Sequence, residues 1–91
     1  MELELDGNKY KVIKNEKEGL DKEELLKKYD DYFKPYDTIV GDWAYGKLRL
    51  KGFNKKGHLN FNKINDEAQI ESYLKCNCAY GCRYFIIEKI K

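Results

Sequence analysis

Residues 36 to 53, Tyr-Asp-Thr-Ile-Val-Gly-Asp-Trp-Ala-Tyr-Gly-Lys-Leu-Arg-Leu-Lys-Gly-Phe, constrain the fold more than any other stretch of this chain. Side chains alternate in character on both sides of Ala44-Tyr45-Gly46, and a period of two places successive residues on opposite faces of a strand. The reading is two strands, about 38–43 and 47–53, around a turn in which Gly46 supplies positive φ. With an even number of residues in the loop, Trp43 faces Leu48, Asp42 faces Arg49, Gly41 faces Leu50 and Val40 faces Lys51. One face of the pair then carries Ile39, Gly41, Trp43, Leu48 and Leu50 and reads as core. The other carries Thr38, Val40, Asp42, Lys47, Arg49, Lys51 and Phe53.

Flanking segments supply the rest of the architecture. Leu3 and Leu5 alternate with Glu2 and Glu4, Asp6-Gly7-Asn8 tolerates a tight turn, and Tyr10 and Val12 alternate with Lys9 and Lys11, giving an opening β-hairpin. From Asp21 the period changes, with Leu25, Leu26, Tyr29, Tyr32 and Phe33 at helical spacing. Asp21 and Glu24 are placed as a reciprocal cap, so a helix is predicted over 21–34, ended by Pro35. Asn65 is placed to cap a second helix with Ile70, Tyr73 and Leu74 on its apolar face. A last strand over 82–90 contains Tyr84-Phe85-Ile86-Ile87 without a polar break, as expected of a central strand covered on both faces. The order is ββαββαβ, an α+β fold with a mainly antiparallel sheet and two helices packed against it.

At 91 residues the chain is expected to form a single domain, 1–91, too short for separate cofactor and substrate domains. No apolar run approaches the roughly 20 residues of a membrane helix. The acidic start, Glu2-Leu3-Glu4-Leu5-Asp6, lacks the pattern of a signal peptide. We therefore expect a cytoplasmic protein without a membrane partner. Cys76, Cys78 and Cys82 are an odd number clustered near one end, which argues against a secreted disulfide framework.

The net charge of +2 hides an uneven distribution. Residues 43 to 65 contain Lys47, Arg49, Lys51, Lys55, Lys56 and Lys63 and no acid, whereas the first 42 residues are acid-rich. Cations spaced along a strand and edged by aromatics are what single-stranded RNA or another polyanion requires. The candidate polyanion-binding set is Lys47, Arg49, Lys51, Lys55 and Lys56, edged by Tyr45 and Phe53. An ordinary solvated strand, or an edge strand guarded by lysines, explains the same pattern. A second partner class is another protein, met by the acidic N-terminal part and the helix over 21–34.

Catalytic and metal chemistry find less support. Asp42 is explained by a cross-strand ion pair with Arg49 and lacks a second convergent acid or base. Trp43 reads as a core anchor whose N–H finds a partner at the sheet edge. The cysteines form Cys-x-Cys-x3-Cys, and His58 would complete a nominal ligand set, but paired two-residue knuckles are missing. Cys78 and Cys82 are weak metal or thiol candidates beside the alternative of core filler. Phosphate-loop, dinucleotide and metalloprotease motifs are absent from the sequence. The expectation is a non-enzymatic binding module with no cofactor.

With Gly41-Asp42-Trp43 through Phe53 in view, followed by Tyr73-Leu74 and Cys78-Ala79-Tyr80-Gly81-Cys82-Arg83-Tyr84-Phe85, the chain resembles the YutD-like family of small bacterial proteins. The resemblance covers nearly the whole length. It departs at Ala44, where the family has a second Gly, and at Cys76, so that only Cys78 and Cys82 match. It implies one small cytoplasmic domain and leaves the activity open.

Overall fold

The computed structural model describes residues 2–5, 7–44, 46–55, 66–77 and 83–90. Its strands are β1 (Glu2–Leu5), β2 (Asn8–Glu16), β3 (Thr38–Ala44), β4 (Lys47–Phe53) and β5 (Tyr84–Lys89). Helix α1 (Lys22–Lys28) follows β2, and a 3-10 turn (Glu67–Gln69) leads into α2 (Ile70–Asn77) before β5. All ladders are antiparallel, in the order β1-β2-β5-β3-β4. The α+β order ββαββαβ is the one expected from the sequence. The last strand fills the gap between β2 and β3, and β4 lies at one edge.

Local chemistry fixes the hairpins. Gly7 and Gly46 both adopt positive φ, at 84° and 74°. The β3–β4 register pairs Trp43 with Leu48, Asp42 with Arg49, Gly41 with Leu50 and Val40 with Lys51, as expected, and extends one residue further to Ala44 and Lys47. Strand β2 runs beyond the expected hairpin by pairing with β5 as far as Glu16, and a bulge between Val12 and Lys14 interrupts its alternation and leaves Ile13 exposed.

Helix α1 is shorter than the expected 21–34. Asp21 caps it, with Oδ1 accepting from the Glu24 amide at 3.2 Å. Tyr29 leaves the helical region at φ −70°, ψ 131°. Asp30 then accepts the Tyr32 amide through its own carboxylate, at 2.9 Å, a local bond that competes with helix continuation. Turns occupy 31–35, so the helix ends before Pro35 has any influence. For the second helix, Asp66 caps the 3-10 turn by accepting the Ala68 amide; the expected cap Asn65 lies outside the described residues.

Two layers cover the sheet. On one face Leu3, Leu5, Tyr10, Ile39, Leu48, Phe85 and Ile87 are buried beneath Leu25 of α1 and Tyr29 at its C-terminal cap. Tyr29 meets Tyr10 edge-on, with hydroxyls 2.9 Å apart. On the opposite face Thr38, Val40, Asp42 and Phe53 are buried. Their contacts run to Glu67 and Tyr73, which places the 3-10 turn and α2 over this side. In β5, Phe85 and Ile87 are buried on the α1 side while Tyr84 and Ile86 are half-buried on the other, so the central strand is covered fully on one face and partly on the second.

Candidate functional site

The basic residues of β4 do project to one face, but that face is open only in part, with Lys47 and Arg49 exposed and Lys51 half-buried. Arg49 donates to Asp42 Oδ2 at 2.5 Å, and Asp42 is fully buried while the Arg49 side chain keeps 42% exposure. The Tyr73 hydroxyl lies 3.4 Å from Asp42 Oδ1. Burial, and then the negative charge of Asp42, raise the Tyr73 phenol above its ordinary pKa. Both Asp42 oxygens are thus turned toward Arg49 and Tyr73. The expected cross-strand pair is present, and the carboxylate is built into the join between sheet and helix.

Lys51 is half-buried, with Nζ 5.4 Å from the centroid of the Phe53 ring. That ring is itself 0% exposed, packed edge-on against Tyr73 at 5.8 Å. Phe53 therefore cannot stack on a base, and its expected place at the rim of the site is corrected: α2 covers the strand end on which it lies. Lys55 extends toward β5 and pairs with Glu88 at 2.7 Å, a hydrogen bond that raises its pKa. Lys47 is exposed at the start of β4. Tyr45 and Lys56 lie outside the described residues, as do His58, Cys78, Cys82 and the Cys76 side chain. Among the described residues no three His, Cys, Asp or Glu side chains converge in a way that could hold a metal ion. No helix among them is long and apolar enough to cross a membrane.

On the opposite side of β4 stands an aromatic group made of Tyr32 and Phe33, which the sequence places in the first helix, and Tyr36, which lies beyond it. The Tyr36 ring occupies the space in which a side chain at Gly52 would stand. Tyr32 packs against both Phe33 and Tyr36, with centroids 5.1 and 5.7 Å away, and is 66% exposed. Leu26, on the helix that packs over β4, is 56% exposed. Their helical spacing signalled burial, but within α1 only Leu25 is buried and Leu26 points outward, while Tyr32 lies beyond the helix's early end.

A further cluster joins Trp43 to the segment between β2 and α1. Its indole Nε1 donates to the Gly19 carbonyl at 2.7 Å, and the Arg83 guanidinium lies 4.6 Å from its ring centroid. Arg83 also donates to the Glu18 carbonyl at 3.2 Å. Trp43 thus packs against the core while only half-buried, and its N–H is satisfied by a loop carbonyl rather than at the sheet edge. Arg83 had no role that its position in the sequence could disclose.

A family model described as "Putative antitoxin YutD-like" matches residues 4–88. The chain belongs to the YutD-like family. It is 34% identical over 82 residues to a Bacillus subtilis (strain 168) protein described as "Putative antitoxin YutD", an alignment covering 90% of each chain. The solution NMR structure of protein YutD from B. subtilis superposes with a TM-score of 0.83 at 31% identity, covering 100% of this chain and 83% of that one. The YutD-like resemblance carried by Gly41-Asp42-Trp43 and the C-terminal motif thus extends to the whole fold.

Proposed function

We propose that this YutD-like chain is a non-enzymatic binding module whose partner is a protein. One observation carries the reading: among the described residues, the exposed Tyr32 and its half-buried neighbour Tyr36 stand on the opposite face of β4 from its cations. Single-stranded nucleic acid needs both on one surface, so that bases stack where phosphates are neutralised. Here Lys47, Arg49 and Lys51 share the α2 side, where Phe53 is buried, while Tyr32 and Tyr36 cluster on the α1 side. The word "antitoxin" in the description of the B. subtilis relative supports a partner for this chain as well.

Binding of RNA or another polyanion is the second reading, favoured by the exposure of Lys47 and Arg49 on one face. Retrieval of tagged protein from lysate, with and without nuclease, separates the two. A stoichiometric protein that stays bound after nuclease supports the first reading, and recovery of nucleic acid alone overturns it. A polyanion partner also predicts a steep loss of affinity with salt.

A further inference from the structure

Among the described residues β4 closes one edge of the sheet, and its two sides differ chemically. An edge strand turns half of its backbone groups away from its neighbour and is a ready template for another strand. Toward α2 the seven-residue strand presents Lys47, Arg49 and Lys51 at alternate positions. Asp42 is the carboxylate the ladder sets opposite them, so the row keeps an excess of positive charge. Toward α1 it carries Leu48, buried in the core, and the half-buried Leu50, with the Tyr36 ring seated over Gly52 and Tyr32 beside it.

Side chains directly opposite one another on paired strands share a face, and opposite charges there attract while like charges repel. A strand that docks on β4 therefore meets cations with one set of its alternate residues and apolar surface with the other. The opposite edge of this sheet lacks such an excess, since the ladder sets Lys11 opposite Glu2 and Lys9 opposite Glu4 on the same face. The net positive row is thus a feature of β4 and selects a guest of opposite charge.

We infer that β4 is the docking edge for an extended segment of a partner protein in which acidic and apolar residues alternate. The inference rests on the protein-partner reading above and specifies its geometry. Backbone bonds provide the attachment, the basic row sets the charge of the guest, and Leu50 with Tyr36 and Tyr32 receives its apolar side.

The test uses the full chain, isotope-labelled, and a nine-residue acetylated peptide alternating glutamate and valine. Controls are an isomer with its glutamates grouped together and a peptide with lysine for glutamate. Expected are slowed amide exchange within 47–53 on adding the alternating peptide, and no slowing with either control. In the K47E/K51E variant, shown to be folded by its amide spectrum, affinity for the acidic peptide falls about tenfold and the lysine peptide gains what the other loses. Equal binding of the grouped isomer, or exchange changes only outside β4, overturns the inference. So does slowing that appears without peptide at rising protein concentration and vanishes in E2K/E4K, because the occupant is then β1 of a second copy. Should a protein partner survive nuclease treatment and still bind K47E/K51E, the edge assignment fails while the protein-partner reading stands; recovery of nucleic acid alone fails that reading first.

Discussion

Phe85 lays its ring over the bare α-carbon of Gly41, its partner across the β3–β5 ladder. A methyl group at Gly41 would fall well inside contact distance of the ring carbons, and Phe85 is fully buried with no open side to move into. Gly41→Ala is expected to cost about 1–3 kcal/mol through overpacking. Shortening the ring partner should relieve it, so the cost of G41A in an F85L background is smaller than in the native chain. A double-mutant cycle by urea unfolding measures the difference, and equal costs in both backgrounds would refute the steric account.

The Asp42–Arg49 pair predicts an asymmetry. Arg49→Met leaves a carboxylate buried without its cation and is expected to cost about 3 kcal/mol, the low end for a broken buried pair because the guanidinium is partly solvated. Asp42→Asn leaves a neutral amide that still accepts from Tyr73 and should cost less. Combining D42N with R49M should recover part of the R49M loss. Thermal or urea unfolding of the three variants checks the order, and a D42N cost at or above that of R49M contradicts it.

Much of this arrangement is legible in the sequence because strand periodicity is strict. The pairing of Asp42 with Arg49 and the central position of Tyr84-Phe85-Ile86-Ile87 both follow from which residues share a face. Periodicity does not say what covers that face. Thr38, Asp42 and Arg49 look like a solvated row, yet Glu67 and Tyr73 arrive from beyond position 65 to bury part of it, and Phe53 is buried with them. The end of α1 is hidden for a similar reason. Tyr32 and Phe33 continue the helical spacing, while the bond from the Tyr32 amide to Asp30 that breaks the helix is local and leaves no periodic trace.

Strain in the segment that holds Trp43 yields a stabilising substitution. Lys17 and Glu18 both have φ of 54°, the left-handed region that costs a residue with a side chain about 1–2 kcal/mol. Glu18 contributes its carbonyl to Arg83, which a glycine retains. Glu18→Gly is expected to raise stability by about 0.5–1 kcal/mol, the relief of strain being partly offset by the greater freedom of the unfolded chain. Fluorescence of Trp43 during urea unfolding reports it, and a destabilised E18G would show that the side chain is worth more than the strain.

Alkaline pH should unfold the protein through two phenols, Tyr10 fully buried and Tyr73 half-buried. Tyr10 is fully buried, with its hydroxyl 2.9 Å from that of Tyr29. Burial first, then Tyr29, raise its pKa above the ordinary value of a tyrosine; Tyr73 moves the same way through burial and then Asp42. The unfolded chain gives up these protons near pH 10, while the folded state keeps them. Below that pH both states hold the proton and the contribution is intact. Above it the unfolded state binds fewer protons, so stability falls by about 1.4 kcal/mol per pH unit for each retained proton, until the folded phenols themselves ionise. Lys55, held charged by Glu88, acts in the same direction from an exposed position, and Lys55→Met isolates that share. Unfolding midpoints taken from about pH 9 to about pH 11 should decline less steeply in Y10F and in Y73F than in the native chain. An unchanged slope in both variants would show that other groups carry the alkaline transition.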